Sequence, residues 1–262
     1  MATAALKTGS ETVIFVCIPT HNEADTIGVL LWKTRNVMGE FGRDYRIVVH
    51  DDGSSDETSE VLQRYRRSLP LTILRSDTCL GYGASVEKLL RHVVEEAPYP
   101  KRDCAVVLQA DFSESPSHIV PLVKILEGGA DIVAGTATEE TGEAPSGKRL
   151  AQWAVSTFRR GLIKNAPVSD PCTGLRAYRA IVLKKALRDR PESDPLIRSD
   201  GWAANVELLG CLAPHARRIS EIEYDLSYDL QARPSRFRPW PTVLGMIKLP
   251  GKVWASTEPE AA

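Results

Sequence analysis

The sequence predicts an α/β fold in which helices cover both faces of a mostly parallel central sheet. From residue 11 to residue 137, apolar β-branched runs alternate with segments in which apolar residues recur at helical spacing. Runs that are apolar throughout are typical of parallel strands buried on both faces. No linker interrupts the pattern, so the 262 residues are interpreted as a single domain.

The first half of the chain is predicted to repeat a strand and a helix. The run over 11–19 is apolar and closed by a proline, and the segment over 24–41 has apolar residues three and four apart. The helix over 55–68 starts with Ser, Asp and further acids, and the helix over 115–129 begins beside a proline and stops at glycines. The remaining strands are 45–52, 71–76, 103–111 and 130–137, and the remaining helix is 83–97.

The later half is less regular. An amphipathic helix is predicted over 146–165, and residues 170–179 are interpreted as a turn followed by a short strand. A helix is predicted over 201–214 and a strand of alternating polarity over 217–229.

The composition is that of an ordinary globular protein and excludes several classes of function. Hydrophobic residues make up 43% and charged residues 26% of the chain, as in ordinary globular proteins, and the net charge of -1 gives no reason to expect nucleic acid binding. The five cysteines are odd in number and scattered, which argues against disulfides and a zinc site and predicts a cytoplasmic location. Neither a signal peptide nor a run of roughly 18 apolar residues is found, so no membrane-spanning helix is predicted.

Polar residues gather at the predicted ends of the first four strands. The stretches are PTHNE, DDGSSDE, LGYGAS and QADFSES. In parallel sheets the carboxyl ends of the strands share one edge, and ligands bind beyond that edge. The sequence therefore predicts a binding site there.

The sharpest motif is HDDGSSDET, over 50–58. Asp51 and Asp52 stand at a strand end, where carboxylates can accept hydrogen bonds from the N–H of a base or the hydroxyls of a ribose. Capping of the next helix explains Ser55 and Asp56 but not the two acids before them. We interpret the turn as a nucleotide pocket, with a well-capped turn as the alternative.

Two other loops are assigned to the same pocket. Pro19, Thr20, Asn22 and Glu23 end the first strand and precede its helix. The glycine-rich LGYGASV, over 80–86, opens a helix and could approach a phosphate through Gly81, although an ordinary turn has the same composition.

The turn QADFSESP carries the candidate metal ligands. Mg²⁺ bound to a diphosphate is usually held by one or two carboxylates, with phosphate oxygens and water completing the octahedron. Asp111 suits that role, and Gln109 is a weaker, neutral oxygen ligand. Ala110, between them, is assigned to the nucleotide pocket.

These motifs together resemble the inverting nucleotide-sugar glycosyltransferases of family 2, which have the GT-A fold. CIPTHNEADTI is similar to the first-strand motif of that family, IVVHDDGSSDET to its nucleotide motif, and VLQADFSESP stands where the family carries a D-x-D metal motif. DPCTGLRAYR, DGWAANVELL and RPSRFR resemble segments of the polyprenyl-phosphate sugar synthases of the dolichyl-phosphate mannose synthase type. The likeness runs from about Val13 to about Lys248.

The resemblance implies a division of the chain and a reaction. Residues 11–140 would bind the nucleotide sugar, 141–230 would form the acceptor side, and 231–262 would be a basic C-terminal segment. The implied reaction moves a sugar from GDP-mannose or a UDP-sugar to a polyprenyl phosphate, with Mg²⁺ or Mn²⁺ as cofactor. The implied catalytic residues are Asp200, Glu207, Arg149 and Arg176, and the residues implied for the acceptor phosphate are Arg233 and Arg236.

The sequence departs from the family pattern in two ways. The first acid of D-x-D is Gln109 here, and no membrane anchor is recognised after the catalytic part. A soluble hydroxyl acceptor therefore stays open, with Asp200 or Glu207 as the general base, as does a non-catalytic sugar-nucleotide-binding protein. A nucleotidyltransferase is disfavoured because the loop after the first strand is acidic.

The basic, aromatic segment over 230–254 is the part expected to make peripheral contact with the inner face of a membrane. Nothing in the sequence sets an oligomeric state.

Overall fold

The computed structural model describes residues 12–141, 168–188 and 190–227. The strands are β1 (Ile14–Thr20), β2 (Tyr45–Asp52), β3 (Leu71–Ser76), β4 (Cys104–Val107), β5 (Ile132–Thr141), β6 (Arg176–Arg179) and β7 (Ile219–Ser227). The helices are α1 (Ala24–Phe41), α2 (Thr58–Tyr65), α3 (Tyr82–Glu96), α4 (Ile119–Glu127), α5 (Ala180–Leu187) and α6 (Gly201–Leu212). Short 3-10 turns at Pro116–His118 and Ala213–His215 adjoin α4 and α6.

The strands form one seven-stranded sheet in the order β3-β2-β1-β4-β6-β5-β7. The pairs β1–β2, β2–β3, β1–β4 and β5–β7 are parallel, and β6 runs antiparallel to both of its neighbours. The predicted α/β class with a mostly parallel sheet is confirmed.

Alternate side chains of β1 pack into two separate hydrophobic cores, one on each face of the sheet. Phe15 and Cys17 pack on the face covered by α3, α5 and α6, whereas Ile14, Val16 and Ile18 pack on the face covered by α1, α2 and α4. All five side chains are fully buried. This two-sided burial explains why the strand reads as one continuous apolar run.

The structure corrects several predicted elements. The strand predicted over 103–111 ends at Val107, after which the chain leaves the sheet. The strand β6 inserts between β4 and β5, and α5 follows it where the sequence interpretation assigned no element. Such non-local pairing leaves no periodic signal. The helix predicted over 146–165 and the basic segment over 230–254 lie outside the described residues.

Within the described ranges, no helix is both long enough and apolar enough to cross a membrane.

Two glycines give opposite predictions for stability. A Cβ atom at Gly135 in β5 would lie 2.8 Å from the buried Tyr224 ring, whereas a Cβ at Gly39 on α1 meets nothing within 4 Å. Gly135→Ala should lower the free energy of unfolding by about 1–3 kcal/mol through overpacking. Gly39→Ala, the matched control, should raise it by about 0.5–1 kcal/mol because alanine loses less entropy in a helix. Urea unfolding measures both, and an unaltered Gly135→Ala protein would contradict the packing of Tyr224 against β5.

Candidate active site

The carboxyl ends of β1, β2 and β3 lie side by side. Thr20 is in register with Asp51, and Asp51 in turn with Arg75. Pro19 and Thr20 are buried at the end of β1. The structure thus brings the first two predicted loops to one edge of the sheet.

The carboxylate of Asp51 is fully buried and only half satisfied. Oδ1 accepts the backbone N–H of Ser54 at 3.1 Å. Oδ2 has no hydrogen-bond partner among the described residues, and the nearest cation, Nε of the half-exposed Arg75, lies 3.8 Å away. Buried carboxylate oxygens are normally hydrogen-bonded, so Oδ2 is suited to a donor from a ligand.

The carboxylate of Asp52, unlike that of Asp51, has a hydrogen-bond donor at each oxygen. Its Oδ1 accepts the backbone N–H of Leu80 at 2.9 Å, and its Oδ2 accepts the N–H of Gly81 at 2.8 Å. The thiol of Cys79 also approaches Oδ2, at 3.4 Å. The carboxylate predicted to contact the nucleotide therefore holds the loop between β3 and α3.

A glycine is required where these loops cross. Gly53 has φ +62°, and a Cβ there would lie 2.6 Å from the carbonyl carbon of Thr78. No other residue fits such a close approach of two main chains.

Asn22 and Glu23 join the first loop to the second. The side-chain oxygen of Asn22 accepts the backbone N–H of Ser55 at 2.7 Å, and the backbone N–H of Asn22 donates to Oγ of Ser54 at 2.8 Å. The backbone N–H of Glu23 donates to Oγ1 of Thr58 at 2.8 Å. Both residues thus fix the relative position of the two turns.

Asp200 lies against the glycine loop. Its exposed carboxylate accepts the N–H of Gly83 at 3.1 Å, and it would stand 3.1 Å from a Cβ placed at Gly81, which has φ +98°. Glu207 is buried, and its Oε2 accepts the backbone N–H groups of Arg198 and Ser199 at 2.9 and 2.8 Å. Of the two candidate bases, Asp200 is the one at the site edge, whereas Glu207 braces the segment that leads to it.

The turn after β4 presents Asp111 in a fixed orientation. Its Oδ1 accepts the backbone N–H and the hydroxyl of Ser113, at 3.0 and 2.6 Å. The next residue, Phe112, has φ +65° and is buried. A bulky side chain in the left-handed region is strained, and such strain is characteristic of functional turns.

Gln109 points its amide into the protein. Nε2 donates to the hydroxyl of Tyr82 at 3.3 Å and fills the space beside Gly174, where a Cβ would come within 2.5 Å. Ala110 is buried behind it. These contacts bind the turn of Asp111 to α3 and to the DPCTGLR segment.

Sequence reasoning missed Glu114, which is 3% exposed. Its Oε2 accepts the backbone N–H of Gln109 at 3.0 Å. Burial, opposed by backbone hydrogen bonding and reinforced by nearby Asp111, raises the pKa of Glu114 to about 8. The signal available in the sequence was an acid between the aromatic residue Phe112 and Pro116.

Arg176 is fully buried and bonded to main-chain carbonyls. Its guanidinium donates to the carbonyl oxygens of Asn205 at 2.6 Å and Pro171 at 2.5 Å, and Nε has no hydrogen-bond partner in the described ranges. It therefore holds β6 to α6, below the surface of the site. Arg149, Arg233 and Arg236 lie outside the described residues.

The donor set suits a divalent ion shared with a diphosphate. The described ranges contain no group of three His, Cys, Asp or Glu side chains able to hold a metal ion. Asp111 supplies one carboxylate held at a fixed angle. Mg²⁺ is commonly bound by one or two carboxylates together with substrate phosphates, so the residues fit such an ion.

The sequence profile described as Glycosyl transferase family 2 matches residues 15–187, which is more than half of the chain. The chain belongs to glycosyl transferase family 2. The matched residues include the turns that carry Asp51, Asp111 and Glu114. The expected GT-A-type α/β fold and the family resemblance are thereby confirmed.

Several named proteins are similar to this chain. An undecaprenyl-phosphate 4-deoxy-4-formamido-L-arabinose transferase from Edwardsiella ictaluri is 29% identical over 74% of this chain. A dolichol-phosphate mannosyltransferase from Pyrococcus furiosus is 27% identical over 65% of it. The chain spans 58% and 47% of the lengths of these two relatives.

Among solved structures, glucosyl-3-phosphoglycerate synthase from Mycobacterium tuberculosis, in complex with Mn²⁺, UDP-glucose and phosphoglyceric acid, has a TM-score of 0.62. It is 18% identical, and the match covers 91% of this chain and 78% of that one. S. aureus TarS in complex with UDP-GlcNAc has a TM-score of 0.55 at 17% identity, with 87% of this chain and 60% of that one covered. These likenesses concern the fold.

The raised pKa of Glu114 makes stability depend on pH. The folded state keeps a proton that the unfolded state loses above its pKa of about 4.5, so the contribution is fully present below that pH and is lost as pH rises through about 8. The wild type should therefore lose stability relative to Glu114→Gln over this window, by up to about 1.4 kcal/mol per pH unit. Thermal unfolding of both proteins in EDTA buffers checks this. A pH-independent difference between them would contradict the protonated Glu114.

Proposed function

We propose that this chain is an inverting glycosyltransferase that moves a sugar from a nucleotide-diphosphate sugar to a polyprenyl phosphate. The observation that carries the proposal is the buried, half-satisfied carboxylate of Asp51 at the edge where the loops of four strands meet. The names of the relatives from E. ictaluri and P. furiosus, which refer to undecaprenyl phosphate and dolichol phosphate, support the choice of acceptor.

The nucleotide is proposed to lie across the ends of β1 and β2. Oδ2 of Asp51 accepts an N–H of the base or a hydroxyl of the ribose, since it lacks a described hydrogen-bond partner. Pro19, Thr20, Asn22 and Glu23 form the wall on the β1 side. On the other side the wall is formed by Gly81 and Ala110, while Asp52 positions the loop of Gly81 rather than touching the ligand.

The diphosphate is proposed to lie over the turn of Asp111. A divalent ion, Mg²⁺ or Mn²⁺, would be held there by Asp111 and would neutralise the charge that develops on the leaving diphosphate. Gln109 is proposed to take no more than a secondary part, because its amide donates to Tyr82.

The acceptor attacks the anomeric carbon from the face opposite the diphosphate, through a transition state with oxocarbenium character. A phosphate acceptor is already anionic and needs no general base. Asp200, exposed beside Gly81, then orients the acceptor or the sugar hydroxyls. For a hydroxyl acceptor, the same carboxylate would take the proton.

The acceptor phosphate is proposed to be bound by Arg233 and Arg236, whose guanidinium groups match phosphate oxygens in geometry. Arg149 is proposed to face the diphosphate. A protein that acts on a membrane-embedded acceptor would work at the cytoplasmic face, through peripheral contact by the basic segment over 230–254.

Substitution of Asp51 should affect nucleotide binding, whereas substitution of the adjacent Asp52 should affect stability. Asp51→Asn should weaken binding of GDP or UDP by about tenfold or more, because a hydrogen bond to a charged acceptor is lost, while the unfolding midpoint changes little. Asp52→Asn should lower the free energy of unfolding by about 1–3 kcal/mol, because one of the two backbone N–H groups that it holds loses its acceptor. Calorimetry and thermal unfolding measure both. Unchanged nucleotide affinity in a folded Asp51→Asn protein would remove Asp51 from the pocket.

The reaction is tested by a screen of GDP-mannose and UDP-sugars with a short polyprenyl phosphate, in Mn²⁺, Mg²⁺ or EDTA. Transfer should require the ion, and Asp111→Asn should abolish the metal-stimulated part, whereas Gln109→Ala should be milder. Transfer to a water-soluble alcohol alone would replace the lipid acceptor and make Asp200 the base. Absence of both hydrolysis and transfer, with nucleotide sugar still bound, would identify a non-catalytic binding protein.

A further inference from the structure

Four polar groups behind the turn of Asp111 form a chain of hydrogen bonds with a fixed direction. The amide nitrogen of Asn205 donates to the carbonyl oxygen of Cys172 at 2.9 Å, so the amide oxygen of Asn205 must face Tyr82. The Tyr82 hydroxyl donates to that oxygen at 3.0 Å and accepts from Nε2 of Gln109 at 3.3 Å. Because a backbone carbonyl can only accept, the chain requires a donor at position 109.

A carboxylate at position 109 cannot satisfy this requirement. It would set an acceptor against the tyrosine oxygen, whose proton is already given to Asn205. Burial, and then the nearby carboxyl of Glu114, raise the pKa of Tyr82, so its hydroxyl keeps that proton. The amide of Gln109 is therefore the group that this surrounding structure demands.

Glu114 holds the same turn by its main chain. It is buried, and it accepts the main-chain N–H of Gln109 at 3.0 Å. The turn is thus held twice at residue 109, by its main chain to Glu114 and by its side chain to Tyr82.

We propose that Gln109 and Glu114 are positioning residues that set the orientation of Asp111 toward a divalent ion, and that Gln109 itself is not a ligand. This inference rests on the proposed function for the role of Asp111. It predicts that an added acid at position 109 weakens the metal site instead of completing it.

Two isosteric variants test the proposal. Gln109→Glu replaces the donor by an acceptor, and Glu114→Gln replaces the buried carboxyl group that accepts the main-chain N–H of Gln109 by an amide. The Mn²⁺ concentration for half-maximal binding of GDP or UDP should rise by about tenfold in each, as for other residues that orient metal ligands. It is measured by calorimetry, and nucleotide binding in EDTA should stay unchanged. With a donor sugar that turns over, kcat at subsaturating Mn²⁺ should fall while the donor KM at saturating Mn²⁺ stays within about twofold.

The control variants are Gln63→Glu on α2 and Glu95→Gln on α3, which make the same chemical changes at exposed positions. Both should match the wild type in Mn²⁺ dependence.

Each of the other possible results of these measurements would overturn a specific part of the proposal. Tighter Mn²⁺ binding in Gln109→Glu would mean that position 109 is a ligand position. Lower unfolding midpoints with unchanged Mn²⁺ dependence would leave the two residues a purely structural role. A wild-type protein that binds neither GDP nor UDP with Mn²⁺ would overturn the proposed function and this inference with it, whereas nucleotide binding by the wild type with equal Mn²⁺ dependence in all variants would overturn this inference alone.

Discussion

The candidate binding edge of this protein depends on buried acidic side chains that accept main-chain N–H groups from neighbouring loops. Asp52 holds Leu80 and Gly81, Glu114 holds Gln109, and Glu207 holds the segment before α6. A buried carboxyl group is costly unless it is hydrogen-bonded, so each of these groups ties its loop to one position. The loops at this edge are consequently fixed to one another and not only to the strands that they follow.

Asp51 differs from these acids in its hydrogen bonding. It is as deeply buried as the structural carboxylates, yet only one of its oxygens has a hydrogen-bond partner among the described residues. Such an oxygen, buried at the end of β2, is suited to a donor from a ligand. The strained backbone at Phe112 marks the second point of the edge, where Asp111 is presented.

The sequence was sufficient for the parallel strands and for their polar ends, because burial on both faces and strand-end motifs are local patterns. It could not predict that β6 enters the sheet between β4 and β5, since that pairing joins distant parts of the chain. For the same reason Asp51 and Asp52 looked equivalent in the sequence. Their difference arises from the loop at Leu80 and Gly81, which only the fold brings against Asp52.

Glu114 and Gln109 illustrate the same limit. In the sequence Glu114 received no assignment, and Gln109 was interpreted as a weak metal ligand. The contacts of Gln109 involve Tyr82 and, through it, Asn205, which lie far away in sequence. Arg176, which the family resemblance implied as a catalytic residue, donates to two main-chain carbonyl groups of the core.

Hydrogen–deuterium exchange with and without GDP or UDP and Mn²⁺ tests the central claim most directly, namely that the ends of β1, β2 and β4 form one nucleotide site. Exchange should slow in residues 19–23, 51–56 and 109–114 together, and α4 should be unaffected. Slower exchange confined to the outer face of α1, with these turns unchanged, would contradict the account.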